Sequence, residues 1–378
     1  MKIFYWSPFF TNIATISAVL NSAKSLIKYQ NKNLYSVSII NAIGEWNDYK
    51  KNNEKDLFFK NLFEKDFTKL IPKGGFIKSR LSYIFIFLVS LKRLLKVINE
   101  EKPDYLIIHL VTSLPIFLSP LFNKKTKIIL RLSGLPKLNY FRRIFWKLYS
   151  KKIYKITCPT RSTLETIKRS KIFDIDKIVL LKDPIISIKN IKNNINEKLD
   201  EEIKNKKYIL GIGRLTNQKN FTLLLKFFLE LNKKYPEYKL YILGEGEDRV
   251  LLNNMINKFN LSSKAFLLGH QDNVFKYLKY AECFVLSSLW EDPGFVLIEA
   301  GAMNTNIISS NCPNGPKEFI NNEEFLFTNG SHEDLLKTFE IFRKKTSAEL
   351  LDQKIDIKKR TKFYTSFQHF KNLENILN

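Results

Sequence analysis

"SSLWEDPGFVLIEAGAMNTNIISSNCPNGPKEF", residues 287–319, decides the reading of the chain. It holds Glu291 and Glu299 with seven residues between them, and Pro293-Gly294 sits in the gap. Proline lacks an amide donor and glycine admits backbone angles closed to other residues, so this pair breaks the chain. Glu291 therefore falls in a loop. The apolar run from Phe295 starts a helix that carries Glu299 about one turn in. The residues just before, Cys283–Ser287, are apolar and short enough for a buried strand. A helix start offers free N–H groups, here those of Phe295 and Val296 behind Gly294, and these favour an anion. Carboxylates accept hydrogen bonds from hydroxyls. A ligand bearing phosphate and sugar hydroxyls satisfies both, whereas two acids serving only the helix dipole need no ligand.

Other loops on the same pattern favour the ligand. The strand predicted at Tyr208–Gly213 runs into "GRLTNQKN", where Gly213, Arg214 and Lys219 precede a helix near 220–234 with Asn220 as its expected N-cap. Two cations at a helix start make an anion site. The strand at Lys239–Gly244 runs into "GEGEDR", where Gly244, Glu245 and Gly246 allow close backbone approach to a ligand. This is not GxGxxG, because Arg249 takes the third glycine's place. The strand Ala265–Gly269 leads into "HQDN", beginning at His270.

The same alternation fills the chain. Strands are predicted at Lys2–Trp6, Leu34–Ile40, Tyr105–Leu110, Lys127–Leu132, Tyr154–Cys158 and Lys177–Leu181 in the first half, and at Asn306–Ser310 and Phe325–Phe327 besides those above. Helical stretches separate them, including 13–29, 77–99 and 332–345. Strand–helix alternation at this spacing predicts parallel sheets covered on both faces. With 378 residues, two such domains are expected. The polar stretch 188–207 reads as a linker between a domain of residues 1–187 and one of 208–359, with 360–378 crossing back to the first. Ligands in such sheets bind at the carboxyl ends of the strands.

Composition narrows the class. Cys158, Cys283 and Cys312 are odd in number and far apart, with no CxxC, so neither a disulfide framework nor a zinc site is expected. The N-terminal stretch is interrupted by Pro8 and several polar residues and makes a poor signal peptide. The run "LSYIFIFLVSL", residues 81–91, is too short for a bilayer, which takes about 20 residues, and reads as a buried helix. The formal charge of +25 is uneven. Residues 1–187 carry 34 Lys and Arg against 13 Asp and Glu, a balance of +21; residues 188–378 carry 28 against 24, a balance of +4. Codon bias enriches lysine in both halves but does not make acids scarce in one. An anionic partner for the first half is expected, and an anionic membrane surface fits. "YFRRIFWKLYSKKIYK", residues 140–155, interleaves aromatics with Arg142, Arg143, Lys147, Lys151 and Lys152, as an interfacial helix does. An ordinary helix would instead turn that aromatic face inward.

Taken in order, "GRLTNQKN", "LGEGEDR", "FLLGHQDN", "AECFVLSSLWEDPGFVLIEAGA" and "SSNCPNGPKEFI" resemble the donor-binding half of retaining glycosyltransferases of family 4, with Glu291 and Glu299 matching the paired-glutamate motif. The resemblance implies the GT-B fold: two doubly wound, Rossmann-like α/β domains facing each other across a cleft. It implies a metal-independent enzyme with no cofactor that moves a sugar from a nucleotide-sugar, with a UDP-sugar expected. The acceptor would be a saccharide or a lipid-linked saccharide in cell-surface polysaccharide synthesis. Arg214 and Lys219 would hold the diphosphate and Glu291 the donor sugar hydroxyls. Glu299 would take the ribose, and Gly244–Gly246 with the Gly269–Asn273 loop would shape the nucleoside pocket. A cytoplasmic place at the inner face of the membrane follows.

The first half departs from the family. Its first loop, "SPFFTNIAT" (residues 7–15), lacks the usual glycines, and "IILRLSGLPKL" (128–138) lacks the usual histidine. His109, Arg131, Ser133 and Gly134 are the acceptor-side candidates. Asp174-x-Asp176 resembles a DxD metal motif but precedes its strand, so no metal site is expected there. Two other readings stay open: an epimerase or phosphorylase on the same fold, and a basic nucleic-acid-binding protein, although no nucleic-acid module is present.

Overall fold

The computed structural model describes residues 1–10, 14–53, 57–71 and 76–378. They form two compact units, Met1–Pro184 with Ser366–Asn378, and Ile185–Thr365. Each unit is built on a parallel sheet with helices between its strands, as the alternation predicts.

The first unit has strands β1 (Lys2–Trp6), β2 (Ser36–Asn41), β3 (Phe58–Asn61), β4 (Tyr105–Ile108), β5 (Lys127–Arg131), β6 (Ile153–Cys158) and β7 (Ile178–Leu180). Their order is β3-β2-β1-β4-β5-β6-β7, all pairs parallel. Strand β4, YLII, is buried along its length, the signature of a strand covered on both faces. Strand β3 has no counterpart among the strands predicted from sequence. It is a four-residue edge strand with Phe58 turned to solvent, too short to show a period. The stretch 81–91 is helical, within Phe76–Glu101, but is not buried as expected. Ser82, Ile86 and Ser90 face inward while Leu81, Ile84 and Leu88 are exposed. Polar residues on the inner side disguise which side is inner. The C-terminal helix Ser366–Leu377 belongs to this unit and packs on the helix Ala14–Tyr29, with the Tyr29 and Phe367 rings 5.2 Å apart.

The second unit has β8 (Tyr208–Ile212), β9 (Lys239–Leu243), β10 (Ala265–Gly269), β11 (Cys283–Leu286), β12 (Ile307–Ser310) and β13 (Leu326–Phe327), in the order β10-β9-β8-β11-β12-β13. Strand order reverses between β8 and β11, so the loops after these two strands flank the point where doubly wound sheets bind ligands. The helix Phe221–Lys234 buries Phe221, Leu224, Leu225, Phe228 and Leu231, a three-and-four spacing that seats one stripe on the sheet. The segment 188–207 packs as part of this unit. Leu199 is buried in its core, and Asn273 Nδ2 donates to Asn194 O at 2.8 Å and to Glu197 Oε2 at 2.7 Å. Among the described residues, no helix is long and apolar enough to cross a membrane.

Candidate active site

The loops after β8 and β11 are tied together by side chains. Lys219 Nζ lies 2.5 Å from Glu291 Oε1, with little of either side chain exposed. Ser288 Oγ donates to the same oxygen at 2.6 Å. Ser287 Oγ donates to Lys219 O at 2.7 Å, and Leu289 N to Gln218 O at 2.8 Å. The backbone that carries the lysine and the backbone that carries the glutamate are thus stitched to each other. Arg214, on the same loop, is exposed and has no partner among the described residues. Asn220 stands at the N-cap position but does not cap: it adopts a left-handed conformation (φ 50°), and its Oδ1 accepts from Thr222 Oγ1 at 3.0 Å.

The glycines after β9 pack directly against the loop after β8. A Cβ on Gly244 would lie 1.9 Å from Gly213 O, and one on Gly246 would lie 2.2 Å from Leu215 O. These glycines let the loops after β8 and β9 touch each other. Leu215 N donates to Glu245 O at 2.9 Å, and Gly244 N to Gly269 O at 2.7 Å, which brings in the loop after β10. Glu245 pairs with Arg249 at 2.5 Å, and the exposed His270 lies 3.3 Å from Asp272.

Gly294, at φ 92°, turns the chain into the helix Phe295–Ala302, and no side chain caps that helix. Phe295 and Val296 are half-buried at its start. Gly301 holds the helix close to its neighbour, since a Cβ there would meet Ile357 Cγ2 at 2.6 Å. Glu299 sits on this helix. Surrounding protein pushes its carboxyl up to about 7, because burial disfavours the charged form. No hydrogen-bond partner for it exists among the described residues. The two glutamates are therefore unlike: one is paired and the other is not.

Residues 193–361 match the family of glycosyl transferases group 1. An uncharacterized glycosyltransferase of Methanocaldococcus jannaschii is 34% identical over 275 residues, covering 68% of each chain. The chain belongs to the glycosyl transferases group 1 family. An N-acetylgalactosaminyltransferase of Campylobacter jejuni, named for its N-acetylgalactosamine-N,N'-diacetylbacillosaminyl-diphospho-undecaprenol acceptor, is 29% identical over 54% of this chain and 56% of its own. The crystal structure of HepE from Anabaena, in complex with UDP, matches with a TM-score of 0.75 at 12% identity, covering all of this chain and 99% of that one. The GT-B fold follows from that likeness.

The sequence motifs of this glycosyltransferase missed some of what builds the site. Ser288, Gln218 and Asn329 carry its hydrogen bonds: Gln218 Nε2 donates to Trp290 O and Asn329 Nδ2 to Leu289 O, each at 2.9 Å. Ser288 stands in the quoted stretch three residues before Glu291. Asn329 lies 40 residues from Leu289 and leaves no local signal. Asp174 and Asp176 lie in the turn ahead of β7, and Asp174 is 3.5 Å from Lys177.

In the first unit, the Arg131 guanidinium is turned inward. It is buried, paired with the buried Asp183, and donates to Leu132 O. His109 is buried nearby, and burial with the adjacent Arg131 keeps it neutral, well below the usual histidine range. Both line a small cavity of about 10 Å³ with Ser22 and His369. Ser133 is exposed and Gly134 half-buried. Of the glycine-free loop after β1, Thr11–Ile13 lie outside the described residues.

Proposed function

We propose that this glycosyltransferase moves a sugar, with retention and without a metal ion, from a UDP-sugar to a saccharide or lipid-linked saccharide during assembly of a cell-surface glycan. The observation that supports it most is the Lys219–Glu291 pair joining the loops after β8 and β11, beside a free Arg214 and an unpaired Glu299. Arg214 and Lys219 take the diphosphate and neutralise the charge that grows on it as the sugar leaves. Glu291 uses one oxygen to hold Lys219 and the other to accept donor sugar hydroxyls. Glu299 accepts from the ribose. The acceptor oxygen bonds to the anomeric carbon on the face from which the phosphate departs. That carbon–phosphate oxygen bond breaks, and the acceptor's proton passes to the departing phosphate. UDP bound to HepE supports the donor, and the acceptor named for the Campylobacter relative supports a lipid-linked acceptor.

The test is thermal. A ligand that binds only the folded state raises its stability, by about 2.7 kcal/mol at a hundred times Kd. The protein is melted against a panel of sugar nucleotides, and the stabilising one is then assayed for transfer to undecaprenyl-diphosphate saccharides with the anomer read by NMR. Stabilisation by a UDP-sugar and an unchanged anomeric configuration are expected. No stabilisation by any member, or an inverted product, overturns the reading.

A further inference from the structure

Two helices of the first unit present apolar residues to solvent at the spacing of a single helix face. On the helix Phe76–Glu101, Leu81, Ile84 and Leu88 are 53, 55 and 64% exposed. On the helix Tyr140–Tyr149, Phe141, Ile144 and Leu148 are 81, 48 and 72% exposed. Steps of three and four place each triplet on one stripe. Both helices are already seated by their other sides, the first through Ile86 and Leu94 and the second through Trp146. The outward stripes are therefore left over after the core is complete.

The stripes are linked by a run of aromatic rings. Phe87 lies 5.9 Å from Phe117, Phe117 lies 6.5 Å from Tyr149, and Tyr149 lies 4.9 Å from Phe145. Phe117 is itself 44% exposed. Isolated exposed apolar residues are ordinary, but a connected patch with this many large side chains marks a contact surface.

The charge around the patch identifies the partner. Residues 67–99 and 105–164 contain no aspartate or glutamate. Lys92, Arg93, Arg142, Arg143 and Lys147 are exposed beside the stripes, and none makes an ion pair among the described residues. Two of these arginines turn back onto their own backbone: Arg142 donates to Lys137 O at 2.9 Å and Arg143 to Leu138 O at 3.1 Å. Protein-binding surfaces are depleted in lysine at their centres. Apolar stripes flanked by lysine and arginine, with no acids, suit a bilayer whose acyl boundary takes the first and whose phosphates take the second.

We propose that the outward faces of these two helices form one surface that inserts into the headgroup layer of an anionic membrane. The binding is by insertion as well as by charge, and it does not depend on which acceptor the enzyme uses.

Full-length protein is sedimented with vesicles of phosphatidylglycerol and phosphatidylethanolamine, and with phosphatidylcholine alone. Two triple variants are compared: Leu88→Gln/Phe141→Gln/Leu148→Gln, and Arg142→Gln/Arg143→Gln/Lys147→Gln. The unaltered protein should bind the anionic vesicles, and each triple should lower partitioning by about tenfold or more. Thermal stabilisation by UDP serves as the folding control and should be unchanged in both, because the donor loops belong to the other unit. Loss of that stabilisation in the unaltered protein as well would count against the donor and leave the vesicle result standing. Undiminished binding by the apolar triple overturns insertion, and undiminished binding by the cation triple overturns the part assigned to charge. Failure of the unaltered protein to bind either vesicle overturns the whole. So does a dimer by light scattering that the apolar triple dissolves, which would assign the face to a second copy of the chain.

Discussion

Lys219 reaches from the loop after β8 to Glu291 in the loop after β11, and the 2.5 Å contact between them is largely shielded from water. Removing one member of such a pair leaves the other charge without its partner, whereas removing both does not. Lys219→Ala and Glu291→Ala should each lower kcat/KM by about a hundredfold or more. The double variant should fall little below the worse single one, because the two act as one unit. Losses that multiply in the double variant would show that the contact carries no function.

Glu291 and Glu299 should fail differently. Glu291→Ala should lower turnover and leave UDP affinity nearly intact, since its proposed partner is the sugar and not the nucleoside. Glu299→Ala should weaken UDP binding. Calorimetry with UDP on both variants separates the roles, and the reverse pattern would exchange them.

Glu299 also sets a pH dependence. Its carboxyl titrates near 7 in the folded protein, against an ordinary value of 4.5. The protonated form is favoured by folding, so this contribution to stability is complete below the ordinary value and is lost as pH rises through about 7. Glu299→Gln should therefore gain about 3 kcal/mol relative to the unaltered protein between pH 4.5 and pH 8. Binding should move the other way. A ribose hydroxyl donates best to the ionised carboxylate, so affinity for the stabilising sugar nucleotide should rise with pH through about 7 and be flat in Glu299→Gln. A sugar nucleotide is the right probe because its diphosphate does not titrate in that range. An unchanged profile in the variant would remove Glu299 from the nucleoside pocket.

Activity should survive chelation. Arg214 and Lys219 can neutralise a diphosphate where other enzymes use a divalent ion. Transfer measured in excess EDTA should match the untreated rate. Abolition by EDTA and recovery with Mg²⁺ or Mn²⁺ would require a metal site.

What was legible in the sequence follows from range. Pro293-Gly294 announces the turn, and the apolar run behind it announces the helix that bears Glu299. Both signals lie within about ten residues of the group they position. The Glu245 loop shows the limit of such reasoning. Its glycines are visible, but whether a glycine admits a ligand or a neighbouring loop depends on Gly213 and Leu215, far back along the chain. Arg131 is similar: it is named from sequence as an acceptor-side candidate, but nothing local says that it is buried with Asp183 as its partner. The stretch 81–91 misleads for a third reason. Hydrophobicity alone identifies a helix but not its buried side, and here Ser82 and Ser90 face the core while Leu81, Ile84 and Leu88 face solvent.

The interior of the first unit carries a pH dependence of its own. His369 Nδ1 lies 2.7 Å from Lys182 O, and its Nε2 lies 2.8 Å from Ser22 Oγ, which is 2.9 Å from Tyr5 Oη. A carbonyl can only accept, so Nδ1 carries the proton, Nε2 accepts from Ser22, and Ser22 accepts from Tyr5. This arrangement requires a neutral ring, and burial lowers the His369 pKa to about 4. The unfolded chain takes up the proton near 6.5, so the stabilisation is complete above that value and is lost as pH falls towards 4. Going from pH 8 to pH 5, His369 should remove about 2 kcal/mol from the stability of the folded protein. The buried Glu45, raised to about 7, acts in the opposite sense over the same range, so the total slope is not diagnostic. The difference between the unaltered protein and His369→Gln is. Urea unfolding at pH 8, 6.5 and 5 should show His369→Gln less stable at pH 8, by the hydrogen bonds and packing it loses, with the gap narrowing as pH falls. A gap that stays constant would mean that His369 titrates in the folded protein near 6.5, as it does in the unfolded chain, and the neutral ring assigned along Tyr5, Ser22 and His369 would then fail.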